Sequence, residues 1–340
     1  MKNMDHVRFI AVVAVMLVMT VVFSPSASSA GDEFGVYEYV VRNAEGTVDD
    51  IAAAIDKSAV DAGWTVSAIV DAGRLKDCSF EAKVLVLYHP EYAAGIMNAN
   101  RHTGPYAALD RVSVFQDENG THVSVVNPRS INRTILMDDA GHSESSESHL
   151  QALRTMILLS VKGTESSDQY GQMRSEGFIG KTMGVVAGGK FEGLIQKKAA
   201  EKGTSLEDVA ARVEKGMSKE SKKWGLKLAY RVDIPAFDVI ILGTSGSSID
   251  TKSFKIVGTG GDEFRKDFEY PGLSHAAAYP VEIVISKDGE EVKVEMIEAM
   301  FRMKMYFEDA GKIAFMKNMK MPGSIDKELK KQIRDGLKGK

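Results

Sequence analysis

The sequence is poor in cysteine, the residue on which many exported folds and metal sites depend. Cys78 is the only cysteine among 340 residues. A single thiol excludes an intramolecular disulfide, a Cys-x-x-Cys redox pair, a Cys-x-x-Cys-His haem site and a four-cysteine zinc site. The folded chain must therefore be stable without covalent cross-links.

Signatures of nucleotide-binding, hydrolytic and nucleic-acid-binding proteins are missing as well. The glycine-rich segments 243–248 and 258–261 show neither the Walker pattern nor Gly-x-Gly-x-x-Gly, and Gly-x-Ser-x-Gly is absent. The 43 Lys and Arg against 47 Asp and Glu give a net charge of −4, with both signs spread along the chain. A nucleic-acid partner is therefore not expected, because such proteins carry a basic patch.

The N-terminus has the three parts of a secretory signal peptide. Lys2 and Arg8 flank the start, residues 9–23 form an apolar run, and small residues follow at 27–30. The run is shorter than the roughly 20 residues that a membrane span needs. We expect residues 1–30 to be cleaved, leaving an exported protein of the periplasm or cell surface with no stable membrane span. An uncleaved N-terminal anchor is the alternative.

The rest of the chain contains two diverged copies of one pattern. Thr47–Lys57 recurs as Ser205–Lys215, and each begins with a hydroxyl residue suited to cap a helix, followed by acids in the first turn. Residues 107–114 align without a gap to residues 276–283. The alignment continues into hairpin turns at Asn119-Gly120 and Asp288-Gly289 and reaches Arg133 and Arg302. Two matches in the same order indicate an internal duplication.

These elements predict an α+β fold of two repeated two-layer domains, each an antiparallel-rich sheet with helices on one face. A second opening strand is expected near 181–186, followed by a helical insertion at 190–202. The predicted organisation is as follows: a signal peptide at 1–30, the first repeat at 31–137, a linker with a helix at 138–180, the second repeat at 181–321, and a C-terminal basic helix at 322–340.

The order of these motifs resembles the domain-of-unknown-function family 302. The resemblance rests on Tyr37–Val41, Thr47–Ile51, Gly63–Val66, the strand Ala82–Tyr88 and the hairpin Val112–Val126 that ends at Asn127-Pro128. It covers most of residues 35–137 and extends more weakly over 181–310. It implies a small TBP-like α+β fold in two tandem copies, and it implies no catalytic residues.

Two polar, aromatic segments precede the hairpins and could line a cleft. His275, Tyr279 and Arg302 belong to the second copy, and His102 and Tyr106 belong to the first. We predict them as ligand-binding residues of a non-catalytic binding or scaffolding protein, whose partner is a small molecule or another protein. The alternative is an enzyme or a periplasmic Cu(I) handler that uses a cleft near the second repeat.

Methionines are concentrated near the C-terminus. Met300-x-x-Met303 and Met316-x-x-Met319 could each place two thioethers on one helix face, and thioethers select Cu(I) outside the cytoplasm. Methionine is also a flexible core residue, and interleaved lysines oppose cation binding. We favour packing, so no cofactor is predicted, and we keep copper binding and an adaptable Met-rich partner surface as the alternatives.

Overall fold

The structure is a computed structural model that describes residues 32–137, 141–181, 188–259 and 267–339. Glu33–Lys340 forms one compact unit. The predicted signal peptide lies outside the described residues. The predicted α+β class is confirmed, because the chain forms helices and two antiparallel sheets. No helix within the described ranges combines the length and hydrophobicity that a membrane span requires.

The first sheet contains seven strands in the order β2-β3-β4-β5-β1-β6, with β7 also pairing with β1. Its strands are β1 (Tyr37–Ala44), β2 (Thr65–Asp71), β3 (Ala82–Tyr88), β4 (Leu109–Asp117), β5 (Gly120–Val126), β6 (Thr164–Glu165) and β7 (Gln169–Tyr170). Its helices are α1 (Val48–Asp61), α2 (Pro90–Ala99), α3 (Pro128–Ile135) and α4 (His142–Ser160).

The second sheet contains five strands in the order β8-β12-β11-β10-β9. They are β8 (Ile195–Lys202), β9 (Lys227–Ile234), β10 (Val239–Ser245), β11 (Val281–Asp288) and β12 (Glu291–Ile297). The helices of this half are α5 (Leu206–Met217), α6 (Ser247–Val257), α7 (Ala299–Phe307), α8 (Lys312–Lys317) and α9 (Lys320–Leu337), and Pro271–Ala278 is a 3₁₀ helix.

The first five strands of each half have the same order across their sheet. Counted along the chain within each half, both sheets are arranged second, third, fourth, fifth, first. The helix after each opening strand begins where the repeat predicts, with the Thr47 and Ser205 side chains each accepting a backbone N–H. The two hairpins lie in different sheets. Superposition of 35–137 on 181–310 remains a prediction.

The helical insertion predicted at 190–202 is wrong. Residues 192–194 form one 3₁₀ turn, and Ile195–Lys202 is the strand β8, which pairs with β12 from Ile195↔Ile297 to Lys202↔Glu291. Alanine and lysine in this segment favour a helix locally, but pairing with β12 supplies hydrogen bonds for the backbone. The strand predicted near 181–186 lies almost wholly outside the described residues, and β8 occupies the opening position.

The segment predicted as a linker is packed against the first sheet. Leu150, Leu153 and Ile157 of α4 are buried in one hydrophobic cluster with residues of α1, β4 and β5. Side chains alternate along β4, so Val112 and Val114 face this cluster, whereas Phe115 joins the opposite one. We call the face of the first sheet that carries Phe115 its inner face. This face packs against elements of the second half.

The helix α9, Lys320–Leu337, covers most of the segment 322–340 that was predicted as a C-terminal basic helix. Ile325, Leu329 and Ile333 are buried, and α9 packs against α5. The two helices approach closely at Gly216 and Gly336, where an added Cβ would lie 2.2 Å from the Gln332 carbonyl and 2.1 Å from the Arg212 carbonyl respectively. Larger side chains at either position would force the helices apart.

Candidate functional site

A cavity of about 250 Å³ lies between the inner face of the first sheet and the 3₁₀ helix Pro271–Ala278. Both halves of the chain contribute to its wall. The aromatic lining residues are Tyr39, Phe115, Tyr170, Phe268 and Tyr270. The remaining lining residues are Gln116, Asp117, Gln169, Gly171, Met173, Pro271, Ser274 and His275.

Strand geometry brings the aromatic side chains together. Tyr37 and Tyr39 are two residues apart on β1 and therefore share a face. The short strand β7 pairs with β1 at Tyr37↔Tyr170, which places the Tyr170 ring 5.0 Å from that of Tyr37 and 4.8 Å from that of Tyr39. Phe115 on β4 completes the group, with its ring 6.0 Å from Tyr39. The wall is thus a fixed aromatic surface.

The hydroxyl of Tyr170 is hydrogen-bonded, whereas the hydroxyl of Tyr39 is available to a ligand. The Tyr170 hydroxyl lies 2.7 Å from Ser124 Oγ and donates to the Ser274 carbonyl at 2.7 Å. The Tyr39 hydroxyl makes no hydrogen bond to any described residue, although the Tyr39 residue is only 3% exposed. Burial raises the pKa of Tyr39 to about 12, so the hydroxyl stays protonated and can donate a hydrogen bond.

Gln169 offers a further polar group. Its Oε1 accepts the Gly35 backbone N–H at 2.7 Å and the Asn127 side-chain amide at 3.4 Å. Within the described part of the chain its amide nitrogen makes no hydrogen bond. The side chain is thus held at one atom and has donor hydrogens left for another molecule.

The acidic group of the cavity is already paired. Asp117 Oδ1 lies 2.9 Å from His122 Nε2 and accepts the Asn119 backbone N–H at 2.7 Å. Burial acts against the charged carboxylate, but these hydrogen bonds outweigh it and lower the pKa of Asp117. The carboxylate therefore stays ionised at neutral pH and is compensated by its neighbours.

His275 forms the base of the cavity and is 1% exposed. Its Nδ1 lies 3.0 Å from Ser274 Oγ, and its Nε2 lies 2.9 Å from Asp309 Oδ2. The ring stacks on Phe307 at 5.9 Å and meets the edge of Tyr37 at 5.0 Å. Both ring nitrogens are engaged, so the geometry fixes this histidine as part of the wall.

Behind the cavity, a buried charged cluster joins the two halves. Arg111 of β4 and Arg302 of α7 contact opposite oxygens of Glu282 on β11, at 3.0 and 3.4 Å. Both guanidinium groups lie over the Tyr306 ring, at 4.6 and 4.9 Å. Arg111 also donates to the Tyr306 hydroxyl, and Arg302 donates to the Pro280 carbonyl at 2.8 Å. Two buried cations thus share one buried carboxylate.

The sequence-predicted residues of the second half lie near one another, but only His275 lines the cavity. Tyr279 bonds to Ser253 Oγ at 2.7 Å, and its ring lies 5.6 Å from the Arg302 guanidinium. Tyr279 and Arg302 border a small space of about 20 Å³ instead. Their side chains are part of the packed interior that supports the cavity.

The predicted residues of the first half lie elsewhere. The His102 side chain is 47% exposed, and its Nδ1 lies 3.4 Å from Glu192 Oε1. It borders a separate open cleft of about 770 Å³ beside the β11–β12 hairpin. The Tyr106 ring packs at 5.3 Å from Phe191, and its buried hydroxyl has no partner among the described residues. Burial raises the pKa of Tyr106 well above its usual value.

The four methionines considered as alternative copper ligands lie on two helices and in the turn that precedes a third. Met300 and Met303 are half-buried on α7, whereas Met316 on α8 is 47% exposed and Met319, which precedes α9, is 38% exposed. No group of three or more His, Cys, Asp or Glu in the described ranges is placed to hold a metal. That finding does not bear on thioethers, so copper binding by these residues stays the alternative to packing.

Sequence reasoning missed most of the cavity. Tyr39 and Phe115 lie in segments that the sequence predicts only as a strand and a hairpin, and Tyr170 lies in the predicted linker. A usable signal was the Tyr-x-Tyr spacing of Tyr37 and Tyr39, which puts two aromatic rings on one face of a strand.

Comparison with known proteins yields one described structural neighbour. No protein family matches the chain, and no curated protein is similar to it. A similar solved structure is that of an uncharacterized conserved protein of the domain-of-unknown-function family 302 from Bacillus stearothermophilus. The match has 17% sequence identity and a TM-score of 0.31, and it covers 36% of this chain and 95% of that one.

Proposed function

We propose that this is an exported, non-catalytic binding protein whose cavity holds a small molecule with an aromatic or aliphatic body and one or two polar groups. Pockets of this kind are mostly apolar and have a few placed polar groups that orient the ligand. The observation that carries the proposal is the Tyr39 hydroxyl, which lacks a hydrogen-bond partner among the described residues although its ring is fixed in an aromatic wall.

The pairing of the ionisable groups in the wall supports binding over catalysis. Asp117 is bonded to His122, and His275 is bonded to Ser274 and Asp309. A general base needs a position within hydrogen-bond reach of the proton that it removes. The neutral side chains of Tyr39 and Gln169 each keep a polar group that makes no hydrogen bond to a described residue. Export rests on the N-terminal sequence pattern.

We further propose that the two halves are tandem copies of one TBP-like domain of the family-302 type. The shared strand order and the matching hairpins support this origin. A cavity lined by both copies would then be a property of the pair that one copy lacks.

Native mass spectrometry of protein purified from its own compartment tests the binding proposal, since a retained ligand appears as a mass increment. The matched variants are Tyr39→Phe, which removes the free hydroxyl, and Tyr88→Phe, which removes the hydroxyl of a half-buried tyrosine on β3 away from the cavity. We expect Tyr39→Phe to weaken retention about fivefold or more, as the loss of one hydrogen bond predicts. Equal retention by the two variants would refute the assignment of this cavity.

A further inference from the structure

Residues 312–320 present an unusual surface, which we call the α8 face: Ile313, Met316 and Met319 with Lys312, Lys317 and Lys320. Its hydrophobic side chains are 70%, 47% and 38% exposed respectively. Only eight large hydrophobic residues in the described part of the chain are 38% exposed or more, and three of them lie between positions 313 and 319. Scattered exposed hydrophobic residues are ordinary, whereas a concentrated group marks an interaction site.

In the segment from α8 to the start of α9, several large hydrophobic side chains are exposed while Ala314 is buried. Ala314 and Met321 are buried and Asn318 is half-buried, and these positions share one side of the helical path. Ile313, Met316, Lys317 and Lys320 share the opposite side, which is exposed. An amphipathic helix that served only the core would place isoleucine and methionine on the buried side. The outward orientation therefore leaves an apolar stripe without a partner in the described chain.

The charge of the α8 face is of one sign. Residues 312–320 include three lysines and no acid, in a chain whose net charge is −4. None of the three lysines forms an ion pair with a described residue. Nearby acids on α9 are engaged elsewhere, since Asp326 pairs with Lys198 and Glu328 accepts the Lys223 and Trp224 backbone N–H groups at 2.9 and 3.1 Å. The three lysine charges are therefore free to meet an anionic surface.

A groove connects this face to the ligand cavity. It has a volume of about 500 Å³, and its lining includes Met173, Lys312 and Phe315. The acids Glu308 and Asp309 also line it and are paired with Arg174 and His275 respectively. Gly171 and Met173 line both the groove and the cavity. A partner bound to the α8 face would therefore lie next to a groove that shares lining residues with the proposed ligand cavity.

We propose that the α8 face docks on the surface of an anionic lipid bilayer. Ile313, Met316 and Met319 would enter the boundary between headgroups and acyl chains, while the lysines contact phosphate groups. A second copy of this chain is a poorer occupant, because a two-fold contact would set the same three lysines against one another. The inference concerns attachment to a surface and is independent of which ligand the cavity holds.

Sedimentation with vesicles tests the proposal on the exported protein. The probes are vesicles of phosphatidylcholine alone and vesicles of phosphatidylcholine mixed with phosphatidylglycerol. We expect the wild type to bind the mixed vesicles. The double variant Lys317→Glu/Lys320→Glu should bind them about tenfold or more weakly, because each lysine near the surface contributes roughly fivefold to the affinity. Ile313→Asp should reduce the affinity by a comparable factor. Any contribution from the N-terminal apolar run is the same in every variant.

Leu159→Asp and Lys162→Glu are the matched controls, because Leu159 is 80% exposed at the end of α4 and Lys162 is exposed just after it. Neither should change binding. Thermal melts check that each variant is folded, and light scattering checks for dimers. Equal binding to both kinds of vesicle, binding unaffected by the α8-face variants, or a dimer that Ile313→Asp abolishes would each overturn the proposal.

Discussion

The strands β1 and β8 open the two halves and occupy the same place in their sheets, yet they have different surroundings. β1 pairs with β5 on one side and with β6 and β7 on the other, so Tyr37 and Tyr39 are buried. β8 pairs with β12 alone among the described strands and carries Lys197 and Lys198. The cavity belongs to the half in which a later segment covers the opening strand. The two sheets therefore share a strand order, but the cavity forms beside β1 and not beside β8.

The two hairpins differ in a complementary way. Arg111 of the first aligns with Pro280 of the second, and Ser113 aligns with Glu282. The charged residue in one half thus lacks a charged counterpart at the aligned position of the other half, and Arg111 and Glu282 form an ion pair at 3.0 Å. This difference in sequence between the two hairpins allows an ion pair between the two halves.

Removing the shared carboxylate should have the largest effect. Glu282→Ala leaves Arg111 and Arg302 buried without their counter-charge, and we expect the free energy of unfolding to fall by about 3–5 kcal/mol. Urea denaturation measures this change. Asp288→Asn, at the exposed end of the same strand, is the control and should change much less. If Glu282→Gln were as stable as the wild type, charge pairing would not be what holds the halves together.

The methionines of α7 and α8 extend the comparison to the C-terminus. Met305 is 2% exposed, so Met305→Ala should cost roughly 2–5 kcal/mol. Met316→Ala should stay within about 0.5 kcal/mol, because its side chain lies at the surface. Thermal melts with and without Cu(I) separate packing from metal binding. A rise in wild-type melting temperature on addition of Cu(I), lost in Met300→Ala, would establish the copper site instead.

The helices α2 and α6 hold corresponding places, but only α6 buries a carboxyl group near its start. Asp250 is 2% exposed and accepts the Gly73 backbone N–H at 3.0 Å, while its Oδ1 has no partner among the described residues. Burial raises the pKa of Asp250 to about 7. The folded protein thus keeps a proton that the unfolded chain loses near pH 4.

This carboxyl should make the protein less stable as the pH rises from about 4 to about 7, because ionisation then opposes folding. Asp250→Asn removes the titration and can still accept from Gly73. At pH 8 we expect the variant to be more stable than the wild type by one to a few kcal/mol, with little difference at pH 4. Parallel urea curves for the two proteins across this range would count against a buried neutral Asp250.

The helix caps of α1 and α5 should show the smallest difference. Thr47 accepts the Asp50 N–H at 3.1 Å, and Asp50 accepts the Thr47 N–H at 3.2 Å in return. Ser205 accepts the Asp208 N–H at 3.1 Å, and no return bond to the Ser205 N–H is present. We expect Thr47→Ala and Ser205→Ala each to cost about 1 kcal/mol, with the larger loss at Thr47. Urea denaturation decides the order, and the reverse order would contradict this explanation.

Local signals in the sequence predicted much of the fold. The caps at Thr47 and Ser205 and the turns at Asn119-Gly120 and Asp288-Gly289 depend on residues close in sequence, and the structure has helices and hairpins there. β8 was missed because its pairing with β12 comes from residues about a hundred positions away. A strand decided by its partner leaves little trace in its own composition.

The site was harder to predict for the same reason. His275 was identified from its aromatic surroundings, but the cavity also needs Tyr170, which a two-residue strand brings to β1. Arg302 and Tyr279 were recognised as polar or aromatic residues near a hairpin, which does not distinguish a lining residue from one in the interior. Burial settles that distinction, and burial depends on contacts between the two halves.

The lysines of β8 have a consequence for the protein in a crowded compartment. Lys198 is almost fully buried against Asp326, and Lys197 pairs with Glu291 at 3.5 Å. A strand from another molecule that paired with β8 would have to break these ion pairs and desolvate the charged groups. A chain without disulfides cannot rely on cross-links to limit partial opening. Charge along β8, an edge strand of this sheet among the described residues, is expected to oppose pairing with other molecules.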